Sequence, residues 1–80
     1  MNIRVFVNYK KNVLDPQGAA VGRAMTSIGF ATSSKVRVGK TVEFSVDGKD
    51  TPEFRKALDK LCVDLLSNPV IEDYRYEITQ

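Results

Sequence analysis

The stretch Lys35–Asp47, with the sequence KVRVGKTVEFSVD, decides the fold of this 80-residue chain. Valine or phenylalanine occupies every even position from 36 to 46 except position 40, which is Lys40. Because successive side chains of a strand point to opposite faces, this unbroken parity predicts one long strand with one apolar face. A two-residue hairpin at Gly39-Lys40 would break the parity. A three-residue loop at Gly39–Thr41 would keep it and is the alternative.

The predicted strand is long for so small a domain. Thirteen extended residues span about 43 Å at about 3.3 Å each, whereas a compact domain of this length is only about 30 Å across. The strand from Lys35 to Asp47 should therefore extend beyond its own sheet. Since unpaired strand backbone is a template for another chain, we expect a homodimer or a higher oligomer formed through this segment.

Helix-start signals flank the strand on both sides. Asp15 and Pro16 provide a capping carboxylate and a proline suited to the first helical position, and Gly29 ends this first helix. Asp50 to Glu53 open a second helix in the same way. The apolar residues at helical spacing, which we expect to face the core, are Val21, Ala24, Met25 and Ile28, then Phe54, Ala57, Leu58, Leu61, Cys62, Leu65 and Leu66.

Alternating residues predict a further strand at each end of the chain. Met1–Asn8 alternates apolar and polar side chains, and Tyr74, Tyr76 and Ile78 alternate with charged ones. We therefore predict an α+β fold, a two-layer sandwich of order β-α-β-α-β with a mainly antiparallel sheet and a long central strand. It forms a single domain over residues 1–80. The ferredoxin-like order βαββαβ is the alternative if the middle segment folds back.

Composition excludes most catalytic chemistry. The chain has no histidine and one cysteine, Cys62, which removes Ser-His and Cys-His pairs, internal disulfides and all-cysteine metal sites. The twelve Lys/Arg and ten Asp/Glu are interleaved and give a net charge of +2, unlike a nucleic-acid binder. No apolar run approaches the roughly 20 residues of a membrane span. We expect a cytoplasmic chain with no catalytic residue, no metal and no bound cofactor, and with neither nucleic-acid nor membrane partners.

Two glycine-containing segments are candidate contact sites. Arg37 to Lys40 places two cations around a glycine but lacks the strand-to-helix turn of a phosphate-binding loop. Gly18 lies in the first turn of the first helix, where glycine costs about 1 kcal/mol, and close approach of a partner's backbone would explain it. Glu72 and Asp73 are adjacent acids, but neighbours in a strand point apart, so a paired acid/base role is not indicated.

Three runs resemble the PurS family: VLDPQG at 13–18, VRVGK at 36–40 and LLSNPVIEDY at 65–74. They occur in the family's order and spacing, and the resemblance covers essentially the whole chain. PurS is the small subunit of phosphoribosylformylglycinamidine synthase, an enzyme of purine biosynthesis.

The resemblance implies a non-catalytic assembly subunit. In the family, PurS forms homodimers, bridges the glutaminase subunit PurQ and the synthetase subunit PurL, and assists the transfer of ammonia between them. The complex uses glutamine, ATP and Mg to convert formylglycinamide ribonucleotide to the amidine. The residues of this chain that we expect to bind partners are Asp15, Pro16, Gly18, Arg37, Gly39, Lys40, Asn68 and Pro69.

Two other functions stay open on the residues alone. A small-molecule-sensing regulatory domain of similar architecture would need a ligand pocket at a dimer interface. An RNA-binding module would need exposed strand aromatics interleaved with basic residues, of which Tyr74, Arg75 and Tyr76 are a faint version.

Overall fold

The computed structural model describes residues 1–31 and 35–80. The elements are β1 (Asn2–Tyr9), α1 (Pro16–Ser27), β2 (Gly39–Ser45), α2 (Pro52–Leu61) with a π-helical turn (Cys62–Leu66), and β3 (Glu72–Thr79). Strand β1 lies between β2 and β3 and is antiparallel to both. The predicted α+β class and the order βαβαβ are confirmed. Within the described ranges, no helix has the length and apolar character needed to cross a membrane.

Helix α2 and the sheet form the two layers that enclose the core. The fully or almost fully buried apolar residues are Ile3, Val5 and Val7 of β1, Leu58 of α2, and Cys62. Helix α2 begins as predicted, because the Thr51 hydroxyl accepts a hydrogen bond from the Phe54 amide at 3.1 Å. Leu65 is 72% exposed, contrary to the prediction, because the wider π-helical turn displaces it from the face that α-helical spacing assigns.

Helix α1 lies outside this core. None of its residues is among the buried apolar residues or those packed against them, and Val21 and Ile28 are 43% and 82% exposed. The prediction that Val21, Ala24, Met25 and Ile28 face the core is therefore wrong. The end of the helix is as predicted, since Gly29 has a positive φ of 87°. The described molecule is accordingly elongated, at 49 × 26 × 17 Å.

The long strand predicted from Lys35 to Asp47 is shorter in the structure. Strand β2 covers Gly39–Ser45 only. Its first two residues, Gly39 and Lys40, lie within the ladder with β1, so the chain passes through them without a turn. Residues 35–38 remain outside the sheet because they bond to the loop after β1 and to the start of α1. The segment therefore contacts its own chain where the sequence predicted an overhang.

Candidate functional site

The residues predicted to bind partners lie at one end of the sheet, where β1 ends and where β2 and β3 begin. The backbone of Lys10 connects the segments that carry them. Its amide donates to the carbonyl oxygen of Ile71 at 2.9 Å, in the turn that begins at Asn68 and contains Pro69. Its carbonyl oxygen accepts from Nη2 of Arg37 at 2.8 Å. The structure thus gathers motifs that are far apart in the sequence.

Asp15 joins the start of α1 to the segment that precedes β2. Its carboxylate oxygens accept from the amides of Gly18 and Val38, both at 2.8 Å, and the residue is only 3% exposed. These two backbone donors, that of Val38 first, hold the pKa of Asp15 below its ordinary value; the charge of Arg37 acts in the same direction and burial opposes it. We call this arrangement of Asp15, Gly18 and Val38 the Asp15 clasp.

Two glycines at this end are required by contacts within the chain. A Cβ atom on Gly18 would collide with the backbone carbonyl oxygen of Val36. A Cβ atom on Gly39 would lie 2.9 Å from the carbonyl oxygen of Val7. The backbone that approaches these glycines belongs to the same chain, which accounts for both of them without the partner backbone that the sequence suggested.

The two cations of the Arg37–Lys40 motif have different surroundings. Nη2 of Arg37 donates to the carbonyl oxygens of Lys10 at 2.8 Å and of Val13 at 3.1 Å, which fixes the loop between β1 and α1. Lys40 lies opposite Val7 in the ladder and is exposed. Arg37 thus has a structural role that the sequence did not reveal. The side chain of Lys40 is exposed to solvent.

A cleft of about 410 Å³ opens beside the Asp15 clasp. Its lining residues are Lys11, Asn12, Val13, Leu14, Asp15, Ala19, Lys35, Val36 and Arg37. The sequence predicts Asp15 and Arg37 as site residues, but it does not single out Lys11, Lys35 or the exposed Leu14. A signal was present, because residues 10–40 carry six of the twelve Lys/Arg and only one of the ten acidic residues. Cations and acids alternate only over short distances, and residues 10–40 differ in net charge from the rest of the chain.

The titratable groups between α2 and β3 do not form a reactive site. Cys62 is fully buried, and this burial, together with the charge of Asp59, raises the pKa of its thiol. The hydroxyl of Tyr74 donates to Oδ1 of Asp59 at 3.0 Å, and burial followed by this bond raises the pKa of Tyr74 to about 12. A nucleophilic thiol requires a lowered pKa. The prediction that Cys62 is a core residue is confirmed.

The aromatic residues of the sheet do not form an exposed stacking surface. Tyr74 and Tyr76 pack against the core, with ring centroids 6.5 Å apart. Phe6 lies on the opposite face of the sheet, where the guanidinium carbon of Arg75 stands 4.0 Å from its ring centroid. Since single-stranded RNA stacks on exposed rings, this arrangement does not favour an RNA-binding module.

The adjacent acids Glu72 and Asp73 bond in different directions. Glu72 accepts from the amide of Asn68 at 2.7 Å, and Asp73 accepts from Nζ of Lys10 at 2.7 Å. The prediction that they point apart is confirmed. In the part of the chain that the structure describes, no group of three or more His, Cys, Asp or Glu residues could hold a metal ion.

Comparison with known proteins gives a consistent result over nearly the whole chain. Residues 2–80 match the family model of PurS, described as phosphoribosylformylglycinamidine (FGAM) synthase. The phosphoribosylformylglycinamidine synthase subunit PurS of Bacillus subtilis is 40% identical over 78 residues, which are 98% of this chain and 92% of the relative.

Two solved structures have the same fold. The structure of Bacillus subtilis PurS superposes with a TM-score of 0.88 at 39% identity, covering 99% of this chain and 98% of that one. That of Methanocaldococcus jannaschii PurS, one of the subunits of formylglycinamide ribonucleotide amidotransferase, superposes with a TM-score of 0.81 at 28% identity, covering 99% and 95%.

Proposed function

Because the chain belongs to the PurS family, we propose that it is the small subunit of a phosphoribosylformylglycinamidine synthase in purine biosynthesis. The observation that carries this proposal is the match over residues 2–80, with the same fold in PurS structures. The described side chains agree with a subunit that performs no chemistry of its own. Its only thiol is buried with a raised pKa, and the carboxylate of Asp15 is used by two backbone amides.

We propose that the chain assembles with a synthetase subunit, PurL, and a glutaminase subunit, PurQ, in the cytoplasm. Ammonia released from glutamine would be lost to solvent or protonated, so the chemistry needs the two active sites to be held together. This chain supplies contacts that hold them, and the exposed side chains at its sheet end are suited to that task.

We assign ATP and Mg to the synthetase subunit. The first turn of α1 does not present free amides to a phosphate, because Asp15 accepts from the amide of Gly18. Gly39 and Lys40 lie on a strand and not on a loop that leads into a helix. These residues do not fit a nucleotide.

A homodimer is also part of the proposal. The chain has an open sheet edge, since β2 pairs with β1 on one side only among the described residues. It also has an uncovered apolar stripe on α1 that includes Val21 and Ile28. A second copy that covered both would pair the free backbone groups at the edge of β2 and bury the exposed apolar surface of α1. Sedimentation at micromolar concentration should give twice the 8.9 kDa of the chain, and a species of 8.9 kDa alone would contradict the dimer.

The function is tested by co-purification with the synthetase and glutaminase subunits of the same organism, followed by assays of amidine formation. We expect a complex that turns over glutamine only when this chain is present. Activity with excess free ammonia should depend less on the chain, because ammonia then reaches the synthetase without transfer. Equal glutamine-dependent activity with and without the chain would contradict the proposal.

The alternative of a small-molecule-sensing regulatory domain is not favoured, because the relatives are named synthase subunits. Calorimetric titration of the isolated chain with purine nucleotides should show no tight binding.

A further inference from the structure

Charge divides this chain into two unlike parts. Residues 10–40 have a net charge of +5, whereas the remaining 49 residues have a net charge of −3. The single acid of the first part, Asp15, is buried and bonds to two backbone amides; its charge interacts with that of Arg37, but it is in none of the ion pairs of the described residues. The loop before α1, the helix and the segment before β2 therefore present positive charge to any partner, although the whole chain carries only +2.

This charge meets an apolar surface in the cleft beside the Asp15 clasp. Val13, Leu14 and Val36 line it, and Leu14 is 78% exposed. Lys11, Lys35 and Arg37 line the same cleft. In the described ranges, the ion pairs are Arg4–Glu43, Lys10–Asp73, Arg55–Asp50, Lys60–Asp64 and Arg75–Glu77, and the three cleft cations form none of them.

We propose that this cleft, which we call the basic cleft, binds a protein segment of a partner subunit in which an apolar side chain is flanked by carboxylates. This inference rests on the proposed function and adds to it the place of contact and the chemistry of the partner. The apolar side chain packs on Leu14 and Val36. The carboxylates pair with Lys11 and Lys35, and with the guanidinium nitrogens of Arg37 that do not hold the loop.

Three features favour an acidic protein segment over other occupants. A free phosphate is best bound by converging backbone amides, but the amides of Gly18 and Val38 are already used by Asp15. A single-stranded nucleic acid is bound largely by stacking on aromatic rings, and none of the described residues that line the cleft is aromatic. A second copy placed symmetrically on the cleft itself would bring Lys11, Lys35 and Arg37 of one copy against the same three cations of the other, which is unfavourable.

The test uses the full-length chain and measures its equilibrium affinity for each purified partner subunit at low and at high salt. The charge variant is Lys11→Glu with Lys35→Glu, and its control is Lys49→Glu with Lys56→Glu in the acidic part of the chain. The apolar variant is Leu14→Asp, and its control is Leu65→Asp, which alters a leucine of similar exposure, 72% against 78%. Circular dichroism and thermal unfolding verify that each variant is folded.

For one of the two subunits, we expect the charge variant to weaken binding at least about tenfold at low salt, with a much smaller loss at high salt because ions screen exposed charges. Leu14→Asp should weaken the same binding about tenfold at both salt concentrations. The two controls should stay within about twofold of the parent.

The outcomes separate this inference from the proposed function. If the parent chain binds neither subunit, the proposed function fails. If the parent binds and the cleft variants bind as tightly as their controls, only the basic cleft assignment fails. It also fails if the cleft variants lose affinity for inorganic phosphate or an RNA oligonucleotide, or lose self-association, while their binding to the subunits is unchanged.

Discussion

The two helices of this molecule have similar apolar spacing in the sequence, but only α2 buries its apolar face in the structure. Helix α2 places Leu58 against the sheet, whereas α1 leaves Ile28 at 82% exposure. The part of the chain outside residues 10–40, which contains α2, has a net charge of −3, whereas residues 10–40, which contain α1, have a net charge of +5. The difference indicates a division of labour in which α2 and the sheet stabilise the monomer, while α1 and its flanking segments are available to partners.

The largest expected effect tests the core side of this comparison. Leu58→Ala should lower the free energy of unfolding by about 2–5 kcal/mol, because it removes a buried side chain and leaves a cavity. Ile28→Ala removes similar atoms from a position that is exposed in the single chain, and it should cost less than about 0.5 kcal/mol at concentrations where the chain is monomeric. Urea unfolding at several protein concentrations measures both. A large loss for Ile28→Ala would show that α1 is covered in solution, and dependence on concentration would identify a second copy as the cover.

A smaller effect is expected where α1 joins the rest of the chain. Gly18→Ala should cost about 1–3 kcal/mol, because the new methyl group meets the backbone carbonyl of Val36, which cannot rotate away. Gly22→Ala is the matched control. Its methyl group would lie 3.4 Å from a side-chain carbon of Val36, and alanine is favoured over glycine in a helix by about 1 kcal/mol. Equal stability of the two variants would contradict the close contact between Gly18 and the backbone of Val36.

The Asp15 clasp makes the α1 junction sensitive to acid. The folded-state pKa of Asp15 is lowered by the amides of Val38 and Gly18. Its carboxylate therefore contributes stability that is fully present above its ordinary pKa of 3.8 and is lost as the pH falls through the lower folded-state value. Asp15→Asn should be less stable than the parent at neutral pH, and thermal unfolding should show the difference shrinking in strong acid. A difference that did not change with pH would contradict the role of the charge.

The smallest effect concerns the thiol. Cys62→Ala should leave glutamine-dependent turnover of the assembled complex unchanged, because the thiol is buried and burial raises its pKa. Cys62→Ser should be less stable than the parent because it buries a hydroxyl group. Loss of turnover in a folded, fully assembled Cys62→Ala complex would contradict the non-catalytic role.

Local signals in the sequence were sufficient for most of the fold. The capping residues Asp15 and Thr51 mark the starts of the two helices, because each side chain bonds to an amide only three residues ahead. The alternation in β1 places Ile3, Val5 and Val7 on one face of the strand, and the structure buries that face. These features depend on neighbours along the chain, so the sequence alone could predict them.

Features that depend on distant contacts could not be predicted in the same way. The periodicity of α1 shows that one face is apolar but does not show which surface covers it. Alternation at Val36 and Val38 is the same in a strand and in an extended segment, so it could not reveal that pairing begins at Gly39. Gly18 and Arg37 were identified as site residues, but their partners within the chain, Val36 and Lys10, became visible only in the structure.

The hydrogen bond between Asp15 and Val38 also has a consequence for how the chain can vary. It joins two residues that are 23 positions apart. The segment between Asp15 and Val38, which contains α1, is therefore a loop whose two ends are joined by a hydrogen bond. The entropy of closing such a loop changes slowly with its length, by about 0.6 kcal/mol for each doubling. Insertions and deletions between the two ends should therefore leave the β1–β2 register intact, and the helix can change in length or composition while the sheet is conserved.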